Sequence, residues 1–155
     1  MLYIKILEIE KKLIKRIPEK YAKIFDILST FLICFFGIVS FFYYPLYYAF
    51  ICNTFIFAIY IFNSIVQNFF RRPRPYIFSN IIYHTPAERS FPSGHTIVSI
   101  LMFICFNKIP LIYLILLVPI FRILALQHWP SDIILTIIFY IPIIVIFQIF
   151  SQLLL

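Results

Sequence analysis

Long apolar runs, each ended by a short polar cluster, constrain the fold of this chain more than any other feature. Of its 155 residues, 63% are hydrophobic and only 12% are charged, whereas a soluble domain is roughly 45–50% apolar and about 25% charged. A helix of about 20 apolar residues is long enough to cross a bilayer. The sequence therefore predicts an all-α integral membrane protein, folded as one helical bundle over residues 1–155 with no second domain.

Turn residues and polar clusters divide the apolar sequence into about five predicted transmembrane helices. They cover residues 25–44, 46–66, 93–106, 109–126 and 130–155. The third is shorter than the roughly 20 residues of a full crossing. Residues 1–24 mix apolar and charged side chains, which favours an amphipathic helix in the membrane interface, broken near Pro18. A solvated, partly ordered arm is the alternative for this segment.

Counting membrane crossings indicates that three polar clusters lie on the same side of the bilayer. They are the loop at 67–91, the start of the third span at 93–95, and the segment from Arg122 to Asp132. The opposite side holds only short turns and one cation, Lys108. Guanidinium, imidazole and carboxylate groups are costly to keep near a membrane, so their predicted meeting is typical of a functional site.

The Pro-Ser-Gly-His cluster at 92–95 is suited to binding phosphate. Ser93 is a favourable N-cap for the helix that follows, and Gly94 lets an anion approach the backbone closely. The N-terminus of a helix presents free N–H groups and the positive end of the helix dipole. Taken alone, however, the cluster is better explained as a simple helix start.

His128 and Asp132 are four residues apart, which predicts that they share one face of a helix. The carboxylate can then hold one imidazole nitrogen and leave the other free to attack. Two alternatives stay open for this pair. Asp132 can serve as a carboxylate that stabilises the helix dipole, and His128 can be a satisfied histidine inside the bundle.

Five arginines in these clusters fall into two predicted groups. Arg74 and Arg122 are suited to a bidentate clamp on phosphate oxygens. Arg71, Arg72 and Arg89 are interpreted as anchors to lipid headgroups. Taken together, the clusters supply anion clamps, a nucleophile, an acid and an orienting carboxylate, which are the groups that phosphoryl transfer requires.

The order and spacing of these residues resemble the three-part signature of the type-2 phosphatidic acid phosphatase superfamily. The parts read Arg74-Pro75, then Pro92-Ser93-Gly94-His95, then Arg122, His128 and Asp132 with intervals of five and three residues. The second and third parts are specific in combination, because chance rarely supplies both in this order and topology. The resemblance implies a phosphatase that needs neither a metal ion nor another cofactor.

The resemblance also implies a role for each matching residue. His128 is implied as the nucleophile that forms a phosphohistidine, and Asp132 as the group that orients it. His95 is implied as the acid that protonates the leaving oxygen and then as the base that activates water. The implied phosphate cage consists of Arg74, Ser93, Gly94 and Arg122.

One position departs from the family pattern. The first motif of the family has a lysine seven positions before its arginine, and that position is Gln67 here. Glutamine can donate a hydrogen bond to phosphate but carries no charge, and a lost cation affects transition-state stabilisation. Arg71, one helical turn away, could partly substitute. The departure therefore bears on rate and substrate charge more than on the class of reaction.

These observations predict a membrane phosphatase that hydrolyses a lipid phosphate or a lipid diphosphate. Undecaprenyl diphosphate, phosphatidylglycerophosphate, phosphatidic acid and a lipid A phosphate are all open as substrates. A lipid phosphotransferase uses the same intermediate, and a non-catalytic lipid-phosphate binder is the alternative that Gln67 supports. The net charge of +7 indicates contact with anionic membrane lipids rather than with nucleic acid.

Two arguments conflict about the side of the membrane that holds the site. Six Lys and Arg residues between positions 11 and 23 lie on the site's side if residues 1–24 do not cross, so the positive-inside rule favours the cytoplasm. An interfacial helix is also basic for lipid binding, however, and the family resemblance favours an outward-facing site. We therefore predict a multi-pass protein of the cell (inner) membrane with an extracytoplasmic active site.

Overall fold

The computed structural model describes residues 2–79, 81–106 and 111–154, with side chains described from Glu8 to Leu153 within these ranges. The described residues form six α-helices and no strand, which confirms the all-α prediction. The helices are α1 (Leu2–Ile14), α2 (Glu19–Tyr43), α3 (Leu46–Phe70), α4 (Gly94–Phe106), α5 (Ile112–Leu124) and α6 (Pro130–Leu154).

Three of these helices are long and apolar enough to cross a membrane. They are α2, α3 and α6, each about 25 residues in length. A helix of that length spans about 37 Å, against about 30 Å for the hydrocarbon core. Large apolar side chains such as Phe31, Ile38 and Phe69 are exposed on their outer faces, as lipid-facing residues are expected to be.

The two shorter apolar helices, α4 and α5, have 13 residues each. α4 packs against α2, α3, α5 and α6, and ten of its thirteen residues are buried. It therefore forms the core of the bundle, which explains why it is apolar on all sides. The predicted start of the fourth span at 109 lies outside the described residues.

The N-terminal segment differs from the prediction in where it ends. The break near Pro18 is present, but α1 ends at Ile14, and residues 19–24 are the first turns of the spanning helix α2. Long charged side chains such as Lys20 and Lys23 are tolerated there because they can extend toward the interface. α1 is also not a free arm, since Ile14 packs in a buried cluster with Ala22, Tyr76, Leu126 and Trp129.

The loop between α3 and α4 folds over one end of the bundle and joins the predicted clusters. Its backbone is fixed by hydrogen bonds from Arg74 N to Ala87 O at 2.8 Å and from Ser90 N to Arg72 O at 2.9 Å. Tyr76 N also donates to Leu126 O, beyond the end of α5, at 3.0 Å. The end of α3, the loop, and the starts of α4 and α6 therefore meet, as the count of crossings predicts.

Candidate active site

Six of the eight predicted site residues line a single cavity of about 80 Å³. The six are Gln67, Arg74, Gly94, His95, Arg122 and His128, and the cavity is completed by Tyr60, Asn63, Ser64 and Thr85. Its size suits a compact polar group rather than a lipid tail. The other two predicted residues, Ser93 and Asp132, are fully buried and do not line the cavity.

Ser93, predicted for the phosphate cage, makes its hydrogen bonds at the start of α4 and does not line the cavity. Its backbone N–H donates to Thr136 Oγ1 at 2.8 Å, which ties α4 to α6. Its hydroxyl oxygen accepts from Thr96 Oγ1 at 2.9 Å. For Ser93, the alternative of a simple helix start describes the contacts better.

Gly94 lies in the cavity wall, and α3 packs closely against it. A Cβ atom at this position would lie 3.0 Å from Tyr60 Cε2 and 3.1 Å from Asn63 Nδ2. Any side chain would therefore push α3 away from the start of α4. The structural reason for this glycine is close helix packing, in addition to the predicted access of an anion to the backbone.

His128 is oriented by a backbone carbonyl group. Its Nδ1 lies 2.5 Å from Ser90 O, and because a carbonyl oxygen only accepts, Nδ1 carries the proton. The other nitrogen, Nε2, keeps its lone pair. Burial and the guanidinium groups of Arg122 and Arg74 lower the pKa of His128 well below its ordinary value of 6.5. The imidazole is therefore neutral at pH 7 and has the form of a nucleophile.

Asp132 reaches His128 through Ser90 rather than directly, which differs from the predicted contact. Its carboxylate accepts from the Ser90 hydroxyl and from the backbone N–H of Trp129, the latter at 3.0 Å. The predicted helical spacing fails because α6 begins only at Pro130, so His128 precedes the helix. Asp132 is the third residue of α6 and reaches back to a free N–H at its start, as the helix-dipole alternative describes.

His95 lies at the first turn of α4 and contacts α2. Its Nε2 is 3.2 Å from Thr30 Oγ1, and the Thr30 hydroxyl donates to Asp26 O at 3.1 Å. Since the single hydroxyl proton goes to that carbonyl, Thr30 is left to accept a proton from Nε2. The arrangement suits a neutral imidazole with a proton on the nitrogen next to Thr30.

Arg74 is a buried cation held by neutral acceptors. Its Nε donates to Pro86 O at 3.1 Å and its Nη1 donates to the side chain of Gln127. Burial and the neighbouring Arg122 lower the pKa of Arg74 to about 10, so it stays charged at neutral pH. Among the ion pairs of the described residues, none includes Arg74. The site therefore has a buried positive charge without a protein counter-ion.

Arg122 has a carboxylate partner that sequence reasoning missed. Its Nη1 forms an ion pair with Asp26 of α2 and lies 3.4 Å from Ser29 Oγ. Its buried Nε is without a hydrogen-bond partner among the described residues. A buried N–H without an acceptor is costly, and Arg122 is one of the residues that line the cavity. Arg122 thus combines a guanidinium group fixed by Asp26 with one N–H that has no acceptor among the described residues.

Gln67 lines the cavity, but its amide group is engaged. Its Nε2 donates to Pro92 O at 2.6 Å, and Asn63 Nδ2 donates to the same oxygen at 3.2 Å. Gln67 therefore supports the loop before α4 with one N–H of its amide group, and the second N–H of that group has no hydrogen-bond partner among the described residues. Arg71 does not substitute for the absent lysine, because it is exposed, does not line the cavity and donates to Asn68 O at 3.3 Å.

Arg72 is not a lipid anchor, contrary to the prediction. Its side chain is only 14% exposed and pairs with Asp132 at 2.5 Å and with Glu10 of α1 at 3.3 Å. Glu10, Asp26 and Ser90 were all missed for the same reason. Glu10 and Asp26 reach the site from distant parts of the chain, Ser90 contacts His128 through its backbone carbonyl, and no local spacing marks any of the three.

A known protein family matches the part of the chain that contains the predicted site residues. The model of the PAP2 superfamily, the type-2 phosphatidic acid phosphatase group of the sequence signature, matches residues 47–153. The matched range contains all eight predicted site residues and begins after α1 and α2. No curated protein and no solved structure matches the chain. Among the described residues, no three His, Cys, Asp or Glu side chains form a group that could hold a metal ion.

Proposed function

We propose, because the chain belongs to the PAP2 superfamily, that it is a membrane phosphatase that hydrolyses a lipid phosphate or a lipid diphosphate through a phosphohistidine. The observation that carries the proposal is the electrostatics of the cavity. Two buried guanidinium groups, Arg74 and Arg122, face one small space, and only one of them has a carboxylate partner. A bound phosphate would supply a counter-ion for Arg74 and an acceptor for both guanidinium groups.

The first proposed step transfers the phosphoryl group to the protein. His128 Nε2 attacks phosphorus while the bond from phosphorus to the lipid oxygen breaks. For this step His95 is an imidazolium, with a second ring proton in addition to the one that faces Thr30. It gives the second proton to that oxygen and becomes neutral, and the lipid leaves as an alcohol or as a monophosphate. The Ser90 carbonyl stabilises the charge on the phosphorylated imidazole, because it accepts the Nδ1 proton throughout.

The second proposed step regenerates the enzyme. A water molecule attacks phosphorus, the bond to His128 Nε2 breaks, and His95 takes the proton of the water. Inorganic phosphate is released and His128 returns to its neutral form. If a lipid hydroxyl attacks instead of water, the same intermediate gives a phosphotransferase.

An apolar groove that begins at His95 is the proposed seat of the lipid tail. It has a volume of about 350 Å³, lies between α2, α3 and α4, and shares His95 and Tyr60 with the phosphate cavity. Its other apolar lining residues are Ile33, Ile56, Phe57, Val98 and Met102. A lipid that enters this groove from the bilayer brings its phosphate to the cavity without leaving the membrane.

Filling the groove is expected to select against lipid substrates. In Gly37→Leu, the added side chain starts from a Cβ position only 3.2 Å from Met102 Cε. The larger side chain blocks the groove but does not touch the cavity, so kcat/KM for the lipid should fall about tenfold or more. Hydrolysis of a small water-soluble phosphate ester should change little. Both rates are measured on the same purified protein in detergent.

Ile38→Phe is the matched control, because Ile38 lies next in the chain and is 62% exposed on the outer face of α2. It adds bulk to the same helix without entering the groove, and lipid hydrolysis should be unchanged. If Gly37→Leu lowers the hydrolysis of the lipid and of the soluble ester equally, the groove does not hold the lipid tail.

The proposed function is tested by phosphate release in detergent, with and without a chelator. The panel contains a prenyl diphosphate, phosphatidic acid, phosphatidylglycerophosphate and lipid A. Chelator-resistant release supports the metal-free phosphatase, and the preferred lipid identifies the substrate. Loss of phosphate from the substrate only when a second lipid alcohol is present, with the phosphate then found on that alcohol, identifies the phosphotransferase.

No release from any lipid by a folded protein that binds them would favour the non-catalytic binder.

We also propose an extracytoplasmic site, on the ground of family membership. The same assay on intact and permeabilised cells tests this, since an outward-facing site hydrolyses an added impermeant substrate before permeabilisation. Activity that appears only afterwards would place the site on the cytoplasmic side, as the basic residues of α1 favour.

A further inference from the structure

Glu10 of α1 is buried, whereas charged neighbours such as Glu8 and Lys12 are exposed. Its Oε1 accepts from the backbone N–H of Ser131 at 2.7 Å, and its Oε2 accepts from Arg72 Nη2 at 3.3 Å. A buried carboxylate is costly unless it is paired and hydrogen-bonded. Ser131 N–H is one of the free donors at the start of α6, where negative charge is favoured. Glu10 therefore fixes α1 against the start of α6.

Arg72 connects Glu10 to the site. One guanidinium nitrogen contacts Glu10, and the other contacts Asp132 at 2.5 Å. The guanidinium group also lies 5.8 Å from the centre of the Trp129 ring. A single cation thus satisfies two buried carboxylates that come from opposite ends of the chain.

Ser90 connects this ion-pair network to His128. Its hydroxyl donates to Asp132, and its backbone N–H donates to Arg72 O at 2.9 Å. Its carbonyl oxygen accepts the proton of His128 Nδ1. The atom that fixes the orientation of the nucleophile is therefore held in place by Asp132 and Arg72.

From these contacts we infer that Glu10 is a positioning residue for His128, acting through Arg72, Asp132 and Ser90. The inference rests on the proposed role of His128. The family match begins at residue 47, so membership of the family assigns no role to α1. With this contact, α1 is part of the catalytic unit and not only a membrane anchor.

Loss of Glu10 affects the nucleophile more than the phosphate cage. Without it, Ser131 N–H and one N–H of Arg72 lose their acceptor, and Asp132 is the one carboxylate that still pairs with Arg72 among the described residues. Arg74 is held by Pro86 O and Gln127, and Arg122 is held by Asp26; the hydrogen bonds of Glu10 go to other groups, Ser131 N–H and Arg72. The expected result is therefore a lower rate of phosphoryl transfer with phosphate binding intact.

The test compares Glu10→Ala and Glu10→Gln with the matched control Glu8→Gln, in the full-length protein. We expect kcat to fall about 10- to 100-fold in Glu10→Ala, as when supporting partners of an active-site group are removed. KM and inhibition by inorganic phosphate should stay within about twofold. Glu10→Gln keeps an acceptor of the same shape and should recover part of kcat, while Glu8→Gln should match the wild type.

Trp129 gives a second measurement that does not depend on activity. It is the only tryptophan in the sequence, and its backbone and ring both contact the network. Its fluorescence emission should shift in Glu10→Ala and stay unchanged in Glu8→Gln.

Unchanged emission and unchanged kcat in Glu10→Ala would overturn the inference. A parallel loss of kcat and phosphate inhibition would also overturn it, since that pattern indicates general disruption of the site. A wild-type protein without phosphatase activity would refute the proposed function instead, and the fluorescence comparison would still decide whether Glu10 holds the network.

Discussion

Replacing His128 by alanine is expected to reduce phosphate release by about 10⁴-fold or more, the largest effect of any single substitution in this protein. His128 is the nucleophile in the proposed mechanism, and removal of a nucleophile leaves only the binding and electrostatic part of catalysis. The neutral, Nδ1-protonated ring offers Nε2 as the attacking atom. The measurement is phosphate release from the preferred lipid, with the folded state of the variant checked by thermal unfolding in detergent.

His84→Ala is the matched control, because His84 is an exposed histidine in the loop that covers the site and does not line the cavity. It should retain wild-type activity. With labelled substrate, the wild type should carry a phosphoryl group that is stable to base and labile to acid, and His128→Ala should not. A label that persists in His128→Ala, or activity above about a tenth of the wild type, would assign the nucleophile to another residue.

Much of the fold could be predicted from the sequence, because a membrane restricts what an apolar chain can do. Run length fixes which segments can cross, and the parity of crossings fixes which loops meet. The sequence predicts residues 19–24 as part of the interfacial segment, because they carry charged side chains that are unusual in a spanning helix. In the structure, α1 ends at Ile14, Pro18 directly precedes α2, and Lys20 and Lys23 belong to this spanning helix.

The partners within the site could not be predicted in the same way. The contact between His128 and the Ser90 carbonyl joins residues 38 positions apart. It uses a backbone atom that every residue type supplies, so no residue identity marks it. Spacing along a helix suggested Asp132 instead, but His128 precedes that helix and the rule does not apply to it.

The two arginines of the loop show the same limit. Arg72 and Arg74 are two residues apart and identical in type, yet Arg72 binds carboxylates of α1 and α6 while Arg74 lines the cavity. Which of the two arginines pairs with carboxylates depends on where α1 packs against the rest of the bundle. That position is set by Glu10 and Ile14, whose burial cannot be inferred from a segment that is otherwise strongly charged.

Arg74→Gln is expected to separate activity from stability. In the proposed mechanism Arg74 stabilises the charge that develops on the transferring phosphoryl group, and losing one such donor costs roughly 10²- to 10³-fold in kcat/KM, or about 3–4 kcal/mol. Without substrate, however, Arg74 is a buried cation beside Arg122 and without a carboxylate partner. Its removal should therefore leave the melting temperature of the unliganded protein unchanged or raise it.

The opposite result is expected if Arg74 is only a structural link between the loop and Gln127, because its loss would then lower the melting temperature by removing buried hydrogen bonds. Inorganic phosphate distinguishes the two roles directly. A ligand that binds only the folded state raises the melting temperature, so phosphate should stabilise the wild type and the control Arg71→Gln, an exposed arginine of the same loop. It should not stabilise Arg74→Gln. Equal stabilisation of all three proteins by phosphate would show that Arg74 is not part of the phosphate cage. The unpaired buried charge of Arg74 would then have no functional explanation.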